Sequence, residues 1–205
     1  MSGNIQSETS VSTSRSLLRR AREHDAAAWQ KLTAVYTPLV YQWCRQAGLQ
    51  TSDAADVVQE VFRSVATGLD GFRKERPEDT FRGWLWTITR NKIRDHYRAS
   101  AGRPEAQGGT TAHVQLQQLP DEAPSDADDA TGERLHSKLA RRAVSLMQTD
   151  FEESTWRAFW LTAVELQPPQ SVAEQLGVSA AVVYMAKSRV LRRLREELDG
   201  LDLID

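Results

Sequence analysis

Apolar residues recur at every third or fourth position through most of this chain, and nowhere do they alternate with polar ones as in a half-buried strand. In the stretch "DAADVVQEVF", residues 53 to 62, Val57, Val58, Val61 and Phe62, with Val65 beyond them, fall on one helical stripe that should be buried. The opposite face carries Asp53, Asp56, Gln59 and Glu60, with no histidine or cysteine nearby to complete a metal or catalytic set. Alone, such a face is either solvated charge or a docking surface for something basic. Helical spacing also runs from Asp25 through Trp29, Leu32, Tyr36, Leu39, Trp43 and Ala47. There Thr37 and Pro38 suit a cap and a first-turn proline, giving two helices or one that is kinked. Gly48 ends the run, and the "TSD" of residues 51–53 caps the helix that follows. Phe81, Trp84, Leu85, Ile88 and Tyr97 predict a long helix from Thr80 to Arg98. Leu135, Leu139 and Leu146 predict another. Phe151, Trp156, Phe159, Trp160 and Val164 predict one that starts at Asp150 and is stopped by "QPPQ".

The expected fold class is therefore all-α, with two small helical domains joined by a flexible acidic linker. Residues 1–15 are polar and aperiodic, a disordered leader. Residues 16–98 form the first domain and residues 133–199 the second. Between them, residues 99–132 have the Gly, Pro and Ala content of a linker, with Arg103 their only basic residue against six carboxylates. Such a linker lets the two halves either pack together or separate. The net charge of -2 thus hides a segregation of charge and does not exclude nucleic acid as a partner. One cysteine, Cys44, excludes an internal disulfide framework and a thiolate zinc site, and its place beside Trp43 on the apolar stripe suggests a buried thiol. No apolar run has the length to cross a bilayer, and the polar start lacks the apolar middle of a signal peptide. A cytoplasmic protein that does not engage membranes is expected.

The stretch "SVAEQLGVSAAVVYMAKSRVLRRLREEL" has the register of a helix-turn-helix. Ser171 and Glu174 suit a capping box, Gly177 a left-handed turn, and Ser179 the cap of the second helix. Ala173 is small where the helices would cross, and Leu176, Val178 and Val183 are apolar where the corner would close. In this motif the start of the second helix enters the major groove. Ser179, Ala180, Ala181, Tyr184 and Met185 are then placed to face bases, with Lys187 and Ser188 further along. Lys187, Arg189, Arg192, Arg193 and Arg195 form a basic run whose phosphate contacts supply affinity rather than sequence choice.

In the first domain, "FRGWLWTITRNKIRDHYR" combines Arg82, Arg90, Lys92, Arg94 and Arg98 with Phe81, Trp84, Trp86 and Tyr97. Cations track a phosphate backbone, and aromatic faces stack on bases that have left the duplex, so single-stranded nucleic acid fits. Core packing competes for the rings: Trp84 and Leu85 read as core, Trp86 and Asn91 as exposed.

In this order the motifs resemble the extracytoplasmic-function (ECF) group of bacterial sigma factors over residues 17–98 and 133–198. "DVVQEVF" is similar to that family's polymerase-binding segment, which implies that Asp56, Gln59 and Glu60 contact core RNA polymerase. "FRGWLWTITRNKIRDHYR" resembles the region that opens the −10 promoter element, and "DGF" with the loop after it resembles the loop that captures a flipped base, at whose pocket Phe72 and Asn91 fall. The terminal motif resembles the reader of the −35 element. The resemblance implies these partners: core RNA polymerase through its clamp coiled coil and flap, promoter DNA in double- and single-stranded form, and an anti-sigma factor as external inhibitor. No cofactor and no metal are implied.

Two other readings compete. A stand-alone helix-turn-helix regulator would bind a palindrome as a dimer, but leaves the acidic face and the aromatic-basic helix without a role. An enzyme is disfavoured, because His24, His96, His113 and His136 are scattered and neither a nucleophile elbow nor a phosphate-binding loop occurs.

Overall fold

The computed structural model describes residues 16–76, 79–101, 120, 130–201 and 203; the leader and most of the linker lie outside the described residues. Among the described residues every regular element is helical. The first half holds α1 (Leu17–Arg22), α2 (Ala26–Gln46), α3 (Thr51–Gly68) and α4 (Phe81–Ala101). Asp25 starts α2, its carboxylate accepting from the amides of Ala27 and Ala28. The second half holds α5 (Ala130–Leu146), α6 (Glu153–Phe159) running into a π turn (Trp160–Val164), α7 (Pro169–Leu176) and α8 (Ala180–Glu197).

Several boundaries differ from the sequence expectation, each for a local reason. Pro38 lies inside a continuous α2. A proline there lacks the amide that would reach the Ala34 carbonyl, a defect worth about 3 kcal/mol. That carbonyl instead accepts a 2.6 Å hydrogen bond from Nε of Arg142 on α5. A partner from the other half thus satisfies the group that proline leaves open. The "TSD" segment does not cap α3: Gln50 is the N-cap, without a side-chain bond, and Asp53 sits in the first turn, where a negative charge favours the helix dipole. Asp150 closes a 3₁₀ turn (Gln148–Asp150) rather than starting a helix. Ser171 is not a cap either, because α7 begins earlier, with Pro169 at its first position. A proline there has its φ preset and needs no amide partner. Gly177 does end α7 with φ +65, and Ser179 does cap α8.

The first half packs around the stripe Leu32, Tyr36, Leu39 and Trp43 of α2, the valines of α3, and Phe81, Leu85 and Ile93 of α4. Cys44 is fully buried. Desolvation pushes its thiol up to about 12, which leaves it an inert apolar filler. The same core continues into Leu139, Ala143 and Met147 of the second half and into Leu198, Leu201 and Leu203 at the end of the chain. A second, smaller core of Ala158, Leu161, Val172, Ala173, Val183 and Ala186 holds α6, α7 and α8 together. The two halves that the sequence left free to separate are in contact here.

Candidate nucleic-acid and protein interfaces

Burial of Ala54, Val57, Val58, Val61 and Val65 fixes the rotation of α3. Asp56, Gln59 and Glu60 are consequently exposed on its outer face, and Asp53 is half-buried. The face is not purely acidic. Glu60 pairs with Arg63 one turn on, its other oxygen lies 3.9 Å from Nζ of Lys92 on α4, and Asp53 lies 3.7 Å from Nε2 of His96. Lys92 and His96 thus border the carboxylates, and an incoming basic partner would compete with these solvent-screened pairs.

The buried stripe of α4 is Phe81, Leu85, Thr89, Ile93 and Tyr97, a strict four-residue repeat. Thr89 is accommodated because its hydroxyl donates to the Leu85 carbonyl at 2.8 Å. Tyr97 donates to the Ala47 carbonyl at 2.6 Å, and burial raises its phenol above the ordinary value. The tryptophans on either side of Leu85 exchange their expected roles. Trp86 is 3% exposed and packs edge-to-face on Trp43 at 5.1 Å, whereas Trp84 is only half-buried. Helical period places both beside the stripe. Only the neighbouring helix decides which one is covered, and α2 brings Trp43 to Trp86.

Phe72 is also buried, its ring against those of Phe81 (5.7 Å) and Trp84 (5.3 Å), which touch each other as well. Arg22 holds the turn beneath it, donating to the carbonyls of Leu69 (3.2 Å) and Phe72 (2.8 Å). Phe72 therefore backs the surface through Trp84 rather than presenting a ring to solvent. Outward on α4, Trp84, Thr87, Asn91, Arg94 and Arg98 fall on one helical stripe, with Thr87, Asn91 and Arg98 exposed. Thr87, not singled out from the sequence, shares this stripe by helical phase. Arg82, Arg90 and Lys92 are half-buried, and Arg90 donates to the Pro120 carbonyl at 3.3 Å.

The third surface is α8. Val183, Ala186, Val190 and Leu194 face inward. Ser179, Ala181, Tyr184, Met185, Ser188, Arg189 and Arg192 face solvent, while Ala180 and Lys187 are half-buried. Tyr184 and Met185 are more than half exposed, unusual for large apolar groups. Arg193 departs from the expected basic run: it turns inward and pairs with buried Glu197 at 2.6 Å. Val178, expected in the closed corner, is 40% exposed. With Val182 and Leu176 it lines a groove of about 560 Å³ between α6 and α8, edged by Glu152, Glu153 and Arg157. No cluster of possible metal ligands occurs among the described residues, and no described helix is long and apolar enough to cross a membrane.

Residues 32–103, which span most of α2 and all of α3 and α4, match the Sigma-70 region 2 family. The RNA polymerase sigma factor CnrH of Cupriavidus metallidurans is 29% identical over 91% of this chain and 94% of its own length. The ECF RNA polymerase sigma factor ShbA of Streptomyces griseus is 28% identical over 87% of this chain and 92% of its own. The sigma factor NccH of Alcaligenes xylosoxydans is 34% identical, with the match confined to 42% of this chain and 45% of that protein. A region 2 match that coincides with the helices carrying the acidic face and the aromatic-basic stripe, together with two relatives aligned over nearly their whole length, shows a Sigma-70 region 2 segment in a chain similar throughout to RNA polymerase sigma factors, one of them of the ECF group.

Proposed function

We propose that this chain is a sigma factor that docks on the clamp coiled coil of core RNA polymerase through Asp56, Gln59 and Glu60, opens the −10 element on the outer stripe of α4, and reads the −35 element with α8. The observation that carries this reading is the exposure of three chemically different faces on helices whose buried faces are fully used in packing. On α4, half-buried Trp84 offers a ring against which an unstacked base can lie, Asn91 offers an amide that hydrogen-bonds a base edge, and Arg94 and Arg98 track phosphates. Pulling a base from the stack costs a few kcal/mol. A ring already braced by Phe72 and Phe81 spends little entropy in receiving it. Trp86 leaves the set of base contacts, because its ring belongs to the core.

On α8, Ala180 and Ala181 are short enough to let the helix enter a major groove. Tyr184, Met185 and Ser188 then reach base edges, while Lys187, Arg189 and Arg192 meet phosphate. The groove of Leu176, Val178 and Val182 is the seat for an apolar segment of the polymerase flap. An anti-sigma protein would act by covering these same faces. Covalent chemistry belongs to the polymerase.

The test is run-off transcription from a genomic promoter library with bacterial core polymerase. Promoter-specific transcripts should require this chain and vanish when Asp56, Gln59 and Glu60 are all changed to Ala. Transcription independent of the chain, with the chain alone protecting a palindrome, would overturn the reading.

A further inference from the structure

Trp84 is held by parts of the chain that lie outside α4. α3 ends in a 3₁₀ turn (Leu69–Gly71), closed where the Leu69 carbonyl accepts from the Phe72 amide at 3.2 Å, and Phe72 then leaves in an extended conformation. The guanidinium of Arg22, the last residue of α1, spans this corner. Its Nε donates to the Leu69 carbonyl at 3.2 Å and its Nη2 to the Phe72 carbonyl at 2.8 Å, across 47 and 50 residues of chain. α1 is itself anchored, by burial of Leu17, Leu18 and Ala21 and by the bond from Arg20 to Asp25 at 2.8 Å. The region 2 match begins at Leu32, so Arg22 lies before it.

The corner carries both surfaces on which the indole of Trp84 rests. The Phe72 ring lies 5.3 Å from that of Trp84, tilted by 37°. Beneath the rim of the indole is Gly68, the last residue of α3, where a Cβ would stand 3.5 Å from Cζ2 of Trp84. A shift of the Leu69–Phe72 corner therefore moves the support of the ring. Beyond it the loop is braced locally. Arg73 donates to the carbonyls of Asp70 and Phe72, and the Asp79 carboxylate accepts from the amides of Glu75 at 3.1 Å and Arg76 at 2.8 Å. Bonds within four residues shape a loop without tying it to another helix. Arg22 makes that tie.

We infer that Arg22 is a positioning residue for promoter opening: its two-pronged bond sets where Phe72, and through it Trp84, stands when an unstacked base arrives. This rests on the role of α4 proposed above. A guanidinium presents Nε–H and Nη2–H side by side in one rigid plane and spans two carbonyls at once, whereas a lysine keeps the charge but offers a point-like ammonium. Geometry at the corner and charge near DNA phosphates are thus separable by substitution. A misplacement of about 1 Å at a reacting centre can cost about 100-fold in rate, so a small displacement of the ring is enough to matter.

The test begins with the free protein carrying fluorotryptophan at its six tryptophans, the Trp84 fluorine signal being assigned through Trp84→Phe. Arg22→Ala should shift the Trp84 signal and leave those of Trp156 and Trp160 in place, and Arg22→Lys should shift it in the same direction. With core polymerase, both variants should open a duplex promoter roughly tenfold more slowly, read by permanganate reactivity, while binding polymerase normally. Val40→Ala, a change in the buried core outside this corner, should lower the denaturant midpoint yet open at the normal rate, which separates positioning from loss of stability. A Trp84 signal unmoved by Arg22→Ala, six signals moving together, Arg22→Lys matching the unaltered chain, or Val40→Ala opening as slowly as Arg22→Ala would each overturn the inference. If the unaltered chain supports no opening at all, the proposed function fails, while the fluorine signals still judge whether Arg22 positions Trp84.

Discussion

The two reading helices are built on opposite plans. α4 is braced by two aromatic contacts, Trp86 on Trp43 and Phe81 on Phe72, the latter pair backing Trp84, and several of its polar groups are already engaged: Lys92 lies near Glu60, Arg90 holds a carbonyl, and Arg98 pairs with Asp95. The start of α8 rests on a small core of mostly alanines and valines and presents unpacked Tyr184 and Met185, with Arg189 and Arg192 beyond them where Val190 and Leu194 join the main core. A face braced in this way suits a single base held in one position, where misplacement is costly. A slender helix with open side chains suits insertion into a groove whose phosphates do most of the binding.

The largest expected effect separates the two tryptophans of α4. Trp86→Ala empties a buried site against Trp43 and should cost about 3–5 kcal/mol of stability, read as a fall in the denaturant midpoint. Trp84→Ala, at a half-buried site, should cost much less stability yet impair promoter opening more. Equal losses of stability would remove the distinction between brace and face. Next is the turn before α8. Gly177 has open space around its Cα, so Gly177→Ala tests backbone conformation alone and should cost roughly 1–2 kcal/mol through its left-handed φ. On α8, Arg189→Ala and Arg192→Ala should weaken duplex binding at all sequences and each reduce the salt slope by about 1, measured by fluorescence anisotropy across a salt series. The corresponding change Asn91→Ala on α4 should leave that slope unaltered.

The smallest effect concerns pH. The amide of Ala28, then Arg20, lowers the folded-state pKa of Asp25 below the usual carboxylate value. A depressed pKa contributes stability that is present above the unfolded value and lost as pH falls through the folded one. Asp25→Asn should therefore flatten the acid limb of a stability-versus-pH curve slightly and leave the neutral region parallel.

The apolar stripes of α2, α3 and α4 were legible because burial follows helical period, and the acidic face was legible as what remained. Gly177 and Ser179 were legible because a left-handed turn and a cap need those residue types. What period could not tell was which flank of a stripe meets a neighbour, and so Trp84 and Trp86 were exchanged. Ser171 offered a plausible cap, but Pro169 had already started the helix. Pro38 was ambiguous for a different reason. The group that completes its helix is Arg142, 108 residues later, just as the partner of Tyr36 is the Leu201 carbonyl, 165 residues later. Local pattern carries no information about such pairings, so the packing of the halves came only from the structure.

The division of labour between α4 and α8 is tested most directly by comparing duplex promoter DNA with the same promoter carrying a pre-opened −10 bubble, each with polymerase and this sigma factor. The readout is permanganate reactivity of unpaired thymines alongside binding. Trp84→Ala with Asn91→Ala should retain duplex binding, lose thymine reactivity on the duplex and bind the bubble more weakly. Arg189→Ala with Arg192→Ala should lose duplex binding and recover most of it on the bubble. Failure of the α8 changes to regain binding on pre-opened DNA, or normal opening by the α4 changes on the duplex, would contradict the account.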